Sequence, residues 1–256
     1  MLSVLVCRGI GESKPSPMLS NVTRLLDPKR FVVKEVPWSA SYGSVPAPFG
    51  SSFDTSLREG RTLLLRMIKD DPNPVILLGF SGGAALAGNV AAEIGRGEHP
   101  QLVVNGVGLI SDPLRHTLNT NDKVTGWGTD KFGIAGARAI VANFPVWSMA
   151  DPADVITCCP VNSPLRTISD QSAAFSLIDP KAWGWDLVER LRQQRWQATI
   201  RDWRNVREVW AAYSAAIDGA QGYLFARDHI SYASRIYRDG KTYTQWLADR
   251  INEIRE

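Results

Sequence analysis

The chain is poor in the residues that would make most functional classes easy to recognise. It has 3 cysteines in 256 residues, Cys7, Cys158 and Cys159. Three cannot all pair, adjacent cysteines are poor partners for each other, and the spacing fits no zinc site, so free thiols are expected. Charge is nearly balanced at +3, too little to point to nucleic acid. No apolar run is long enough to span a bilayer. The opening "MLSVLVCRGIGE" has no basic stretch before its apolar residues, and Arg8 interrupts them early, so it does not read as a secretion signal. Synthesis and folding in the cytoplasm are therefore expected. Histidine is also scarce: His99, His116 and His229 are the whole supply. Any reaction that needs an imidazole must choose among three.

What is present reads as one α/β domain over residues 1–256. Hydrophobic residues make up 44% and charged residues 21%, an ordinary soluble balance. The 9 tryptophans fit a heavily packed interior. Short apolar runs predict strands at Leu2–Cys7, Phe31–Val36, Val75–Leu78, Val103–Ile110 and Phe144–Met149. A helix capped by Asp54 or Thr55 should run to about Lys69, and another from Thr242 to Ile254. Strands alternating with helices or loops argue for a mostly parallel sheet. From about Pro164 to Ala220 the strand signal disappears. Trp196, Ile200, Trp203, Val206 and Trp210 recur there at helical spacing, which predicts a helical insertion whose stripe is a packing face.

The most informative stretch is Val75–Gly88, "VILLGFSGGAALAG". It is a G-x-S-x-G pattern between an expected strand and an expected helix, the context of a nucleophile elbow. Small neighbours let strand and helix approach while the turn lifts the hydroxyl of Ser81. No G-x-G-x-x-G and no P-loop lysine accompanies it, so a phosphate cradle is not indicated. A serine nucleophile needs a base and an orienting acid, in the chain order serine, acid, histidine. His229, in "ARDHISY", has the right order; His99 sits in a turn directly after the elbow helix. Among acids, Asp112 follows the first strand after the elbow, while Asp151 and Asp154 follow the second, the usual place. Spacing alone does not separate those two, and each also reads as a turn former around Pro152. The oxyanion of such a reaction would be met by the Gly82 N–H and by a loop after an early strand. "CRGIGE" supplies that loop, with the Ile10 N–H as donor.

These segments resemble the cutinases. "CRGIGE" is similar to their "RGSTE" oxyanion loop, "GFSGG" stands where they have "GYSQG", and "ADVITC" resembles their "GDxVC". That likeness favours Asp154 as the acid. The cysteines depart from it, since cutinases are disulfide-bonded. The cutinase-like lysin B esterases of mycobacteriophages are more similar still. They have comparable length and triad order, and they carry a helical segment between acid and histidine, as "SPLRTISD" through "AAIDG" suggests here. This resemblance extends over nearly the whole chain. It implies an α/β-hydrolase fold and no metal or cofactor; the sequence does not fix the oligomeric state, with a monomer favoured. It also implies cleavage of the ester between mycolic acids and arabinogalactan during phage-induced lysis. Unpaired cysteines are then expected, because such a protein is made in the host cytoplasm and meets the envelope only at lysis. Some family members have an N-terminal peptidoglycan-binding segment, for which this chain has no room. Trp183, Trp185 and Trp203 would serve either as an apolar face for a lipid or as core.

Overall fold

A computed structural model of the protein describes residues 1–41, 53–117, 131–163, 165–166 and 228–255, with the single positions 214 and 219. The predicted insertion at 164–220 lies outside them but for Leu165, Arg166, Ser214 and Gly219, and so do its tryptophans.

The elements in chain order are β1 (Leu2–Cys7), α1 (Pro17–Thr23), β2 (Phe31–Glu35), α2 (Phe53–Asp70), β3 (Val75–Phe80), α3 (Gly82–Gly95) and β4 (Val104–Ile110). Then follow β5 (Lys131–Phe132), β6 (Val146–Met149), β7 (Cys159–Pro160), a 3-10 turn (Asp228–Ala233), β8 (Ile236–Arg238), β9 (Lys241–Thr242) and α4 (Tyr243–Asn252). Five strands form one parallel sheet in the order β2-β1-β3-β4-β6. This is the expected α/β architecture. All five predicted strands are present, as are the helices predicted before β3, after Ser81 and at the C-terminal end, with ends shifted by a few residues; Asp54 and Thr55 lie inside α2 rather than capping it. The short α1 and the β5–β7 pair were not anticipated, since neither is long enough to show a period.

Burial explains why these strands read as unbroken apolar runs rather than alternating ones. Each residue of β1 and β3 is buried, because helices cover both faces of the sheet. Leu5, Cys7, Val75, Leu77, Val107 and Leu109 face α2 and α3, where Leu64, Ile68, Leu86 and Val90 meet them. Leu2, Val4, Val6, Ile76, Leu78 and Phe80 face α1 and α4, against Leu19, Val22, Trp246, Leu247 and Ile251. The α4 helix starts at a capping box in which Thr242 and Gln245 satisfy each other's backbone N–H groups. An Asp239-Gly240 turn with both residues at positive φ delivers the chain to it from β8.

Parallel strands bring their C-terminal ends to one edge of the sheet. β1 ends at the Arg8–Glu12 loop, β3 at Ser81, β4 at Ser111 and β6 just before Asp151. The order reverses direction at β1, between β2 on one side and β3 on the other, and such switch points are where open α/β sheets build their sites. Elbow geometry is enforced by close approach. A Cβ added at Gly83 would lie 2.0 Å from the Cys7 carbonyl oxygen, and one at Gly79 would lie 2.5 Å from the Gly83 oxygen. Gly83→Ala should therefore cost about 3 kcal/mol by overpacking against backbone. Gly97→Ala, at a positive φ in open space, should cost only about 1 kcal/mol. Thermal unfolding of the two variants checks the contrast, which vanishes if helix and strand are free to move apart.

Candidate active site

Ser81 is the residue between β3 and α3. Its backbone is left-handed, φ 53° and ψ −120°, and its side chain makes no capping bond to the helix it precedes. Its N–H donates to the Ile110 carbonyl at 2.9 Å, which ties the turn to the neighbouring strand. A non-glycine residue in this conformation is strained, and the strain frees the hydroxyl from local hydrogen bonding. Opposite it, His229 Nε2 lies 3.0 Å from Ser81 Oγ. His229 belongs to the 3-10 turn, its ring resting on Phe80 with centroids 5.1 Å apart. In a 3-10 turn residues i and i+3 eclipse, so His229 and Tyr232 point the same way. Both reach Asp154.

Asp154 is 1% exposed, and its carboxylate is fully employed. Oδ2 lies 3.3 Å from His229 Nδ1 and accepts from the Tyr232 hydroxyl at 2.7 Å and from Ser111 Oγ at 2.5 Å. Oδ1 accepts from the Ile156 N–H at 3.0 Å. Burial disfavours this charge, but the facing imidazole and the hydrogen bonds from His229, Ser111 and Tyr232 outweigh it. The carboxyl is held below its ordinary range. Burial pushes the Tyr232 phenol well up, which keeps it a proton donor to Asp154.

The other acids considered lie elsewhere. Asp151 accepts from Arg235 at 2.5 Å and from the Ala153 N–H at 3.0 Å, so it shapes the turn and pairs with the histidine segment, without a contact to His229. Arg235 also grips Asp228 at 2.6 Å, joining the loop after β6 to the 3-10 turn. Asp112 pairs with Arg138 at 2.5 Å, and burial raises its pKa despite that partner. His99 sits with Glu93, Nε2 3.1 Å from its carboxylate. Glu93, Glu98 and His99 are close enough to hold a cation, but Arg61 chelates Glu93 and Arg96 holds Glu98, so guanidinium groups already occupy those carboxylates. All three cysteines are free and buried.

The "CRGIGE" loop is folded on itself. The Gly9 N–H donates to Glu12 Oε2 at 2.7 Å, the Gly11 N–H to the Ala40 carbonyl and the Glu12 N–H to the Gly9 carbonyl, both at 3.3 Å. The Arg8 guanidinium braces the loop from Glu12 to Ser39, through 3.1 Å bonds to both carbonyls. Among the described residues the amides of Ile10 and Gly82 have no hydrogen-bond partner. The two residues adjoin: a Cβ on Gly82 would fall 2.6 Å from Ile10 Cγ1. Thus the loop spends its other donors on itself and on the Ser39–Ala40 segment, and Ile10 packs against the helix end that follows Ser81.

Sequence reasoning missed Ser111 and Tyr232. Ser111 follows β4 as Ser81 follows β3, with φ 53° again and its N–H on the Met149 carbonyl at 2.9 Å. Its Oγ is 2.9 Å from His229 Nδ1. The only signal was position, directly after a strand that ends beside the elbow.

The chain has the α/β-hydrolase fold, a five-stranded parallel sheet covered by helices. Lysin B from Mycobacteriophage D29 has a similar structure, with TM-score 0.54 and 15% identity over 98% of this chain and 99% of that one. The catalytic core of acetyl xylan esterase from Trichoderma reesei matches 66% of this chain and 92% of its own at 19% identity, with TM-score 0.48. A cutinase-like protein from Cryptococcus sp. covers 62% and 79%, at 18% identity and TM-score 0.41. No protein-family model and no curated protein sequence matches the chain.

The Asp154 charge has a consequence for pH. Its native pKa is below the ordinary value of about 3.9. The stabilisation it contributes is complete above that value and is lost as pH falls through the native one. Asp154→Asn lacks this contribution. The gap in thermal midpoint between wild type and Asp154→Asn should narrow as pH is lowered from 6 towards 3. A gap that stays constant would show that the charge is not stabilised by its partners.

Proposed function

We propose that the protein is a serine esterase in which Ser81 is the nucleophile, His229 the general base and Asp154 the acid that orients it. The observation that carries this reading is the 3.0 Å contact between His229 Nε2 and a serine hydroxyl held on a left-handed backbone at a helix N-terminus. Ser81 Oγ attacks the ester carbonyl while its proton passes to Nε2. The developing oxyanion takes hydrogen bonds from the N–H groups of Gly82 and Ile10. The imidazolium then returns the proton to the departing alcohol, leaving an acyl-serine. Water attacks that ester, activated by the same imidazole, and frees the carboxylic acid and Ser81. Asp154 stays ionised throughout, holding the Nδ1–H tautomer and stabilising the imidazolium.

The substrate in this reading is the ester between mycolic acids and arabinogalactan, and the role is release of the mycobacterial envelope in phage-induced lysis. The protein would be made in the host cytoplasm and act at the envelope. Two things support this. Motif order and the helical segment expected from the sequence between Asp154 and His229 resemble lysin B esterases, and the structural likeness to lysin B from Mycobacteriophage D29 runs over 98% of the chain. No described helix is long and apolar enough to cross a membrane. The second reading is a cutinase-like lipase or phospholipase, which the "CRGIGE" and "ADVITC" segments would equally suit.

Ser81→Ala should abolish hydrolysis of p-nitrophenyl butyrate and of mycolyl-arabinogalactan. Equal rates for wild type and variant on the short ester would overturn the nucleophile. Wild-type turnover of the short ester without release of mycolic acid would favour the lipase reading. Asp154→Asn should lower kcat by roughly 10⁴-fold, the scale of losing the right tautomer. Asp151→Asn should cost far less, because the Asp151 carboxylate bonds Arg235, Ser231 and the Ala153 N–H rather than His229.

A further inference from the structure

We propose that Ser111 is a positioning residue whose hydroxyl, set between Asp154 and His229 Nδ1, fixes the imidazole tautomer that Ser81 requires. This rests on the esterase reading for its effect on rate.

The first argument is proton accounting. A serine hydroxyl has one proton and two lone pairs, whereas a carboxylate can only accept. At 2.5 Å from Asp154 Oδ2, the Ser111 proton is committed to the carboxylate. The 2.9 Å contact to His229 Nδ1 can then be made only by an Nδ1–H donating to Oγ. Nδ1 consequently carries the proton of the neutral ring, and the Nε2 lone pair is left facing Ser81. The reverse tautomer would set a lone pair on Nδ1 against a committed hydroxyl and a carboxylate. Asp154 alone holds the ring less closely, since its own contact to Nδ1 is 3.3 Å. Tyr232 cannot replace the serine. Its hydroxyl also donates to Oδ2, and its oxygen accepts from the Asp151 N–H at 3.2 Å, so it anchors the carboxylate from the far side.

The second argument is the backbone. Ser111 is fully buried and adopts φ 53°, a conformation that glycine takes freely and serine does not. Nothing in the backbone asks for a serine there; only the hydroxyl has a use. Strain retained at a buried polar position is the mark of a functional constraint.

Glycine is therefore the informative substitution. Ser111→Gly removes the hydroxyl but suits the backbone, so relief of strain should offset part of the lost hydrogen bond to Asp154 and the variant should stay folded. Its kcat on p-nitrophenyl butyrate should fall about 30-fold with KM unchanged. Ser111→Ala removes the same hydroxyl without relieving the strain, so it should be less stable than the glycine variant yet lose kcat to the same extent. In an Asp154→Asn background, Ser111→Gly should cost little more, because both act through one imidazole. Nitrogen-edited NMR of the three histidines gives a readout independent of turnover. The His229 Nδ1–H proton should exchange faster with water in Ser111→Gly, with more of the Nε2–H tautomer. Wild-type kcat in folded Ser111→Gly, additive losses with Asp154→Asn, or an unchanged Nδ1–H signal would each overturn the proposal. A wild type that hydrolyses no ester overturns the esterase reading instead, and the NMR comparison then decides on Ser111 by itself.

Discussion

The site depends on how closely α3 is allowed to approach the ends of β1 and β3. Gly83 comes so near the Cys7 carbonyl that no side chain fits, and Gly79 is pressed against Gly83 in turn. With these contacts in place, the chain between strand and helix has a single residue in which to reverse, and that residue takes the left-handed conformation. The strain at Ser81 is of order 1–3 kcal/mol and is offset by the buried apolar faces on both sides of the sheet. The presentation of the hydroxyl to His229 is thus a product of packing that lies beneath it. The same approach sets Gly82 against Ile10, so Ser81 and both candidate oxyanion donors are fixed by one set of contacts.

The partners of Ser81 are brought in by a repeated device. After β3 and again after β4, a serine at φ 53° donates its N–H to the last carbonyl of the next strand. The first repetition presents Ser81 and the second presents Ser111. The loop after β6 then turns through Asp151 and Asp154, and the Arg235 bonds to Asp151 and Asp228 bind that loop to the segment carrying His229. His229 and Asp154 are 75 residues apart in sequence, yet their segments are joined through Arg235 as well as by the contact they share. Positional error in either is shared by the other, which preserves their mutual geometry.

How much of this was legible depends on whether the signal was local. The sheet was readable because strands covered on both faces must be apolar throughout, and β1 and β3 are short, uninterrupted and rich in Val and Leu. The elbow was readable because steric demand writes itself as glycines at fixed offsets from Ser81. The contact of His229 with Ser81 could be anticipated because only three histidines exist and chain order favours the last of them. Asp154 and Asp151 were not separable by spacing, since each makes a legitimate turn bond to an N–H two residues on. What distinguishes them is the direction of the second oxygen, towards His229 or towards Arg235, and no local pattern encodes that.

Ser111 shows the limit most sharply. In sequence it is a serine before an aspartate and a proline, an ordinary turn. Its meaning lies in a backbone angle and in three atoms from distant segments. Yet its physical logic matches that of Ser81: each hydroxyl is useful because its residue bears a conformation that glycine would adopt with less strain. Ser81 spends that strain on reaching Nε2 of the imidazole. Ser111 spends it on the opposite nitrogen. The imidazole of His229 is therefore bracketed by two strained serines, and Asp154, shared with Tyr232, fixes the charge against which both are arranged. A residue out of keeping with its backbone, buried and hydrogen-bonded at the end of a parallel strand, points to a site more directly than its identity does.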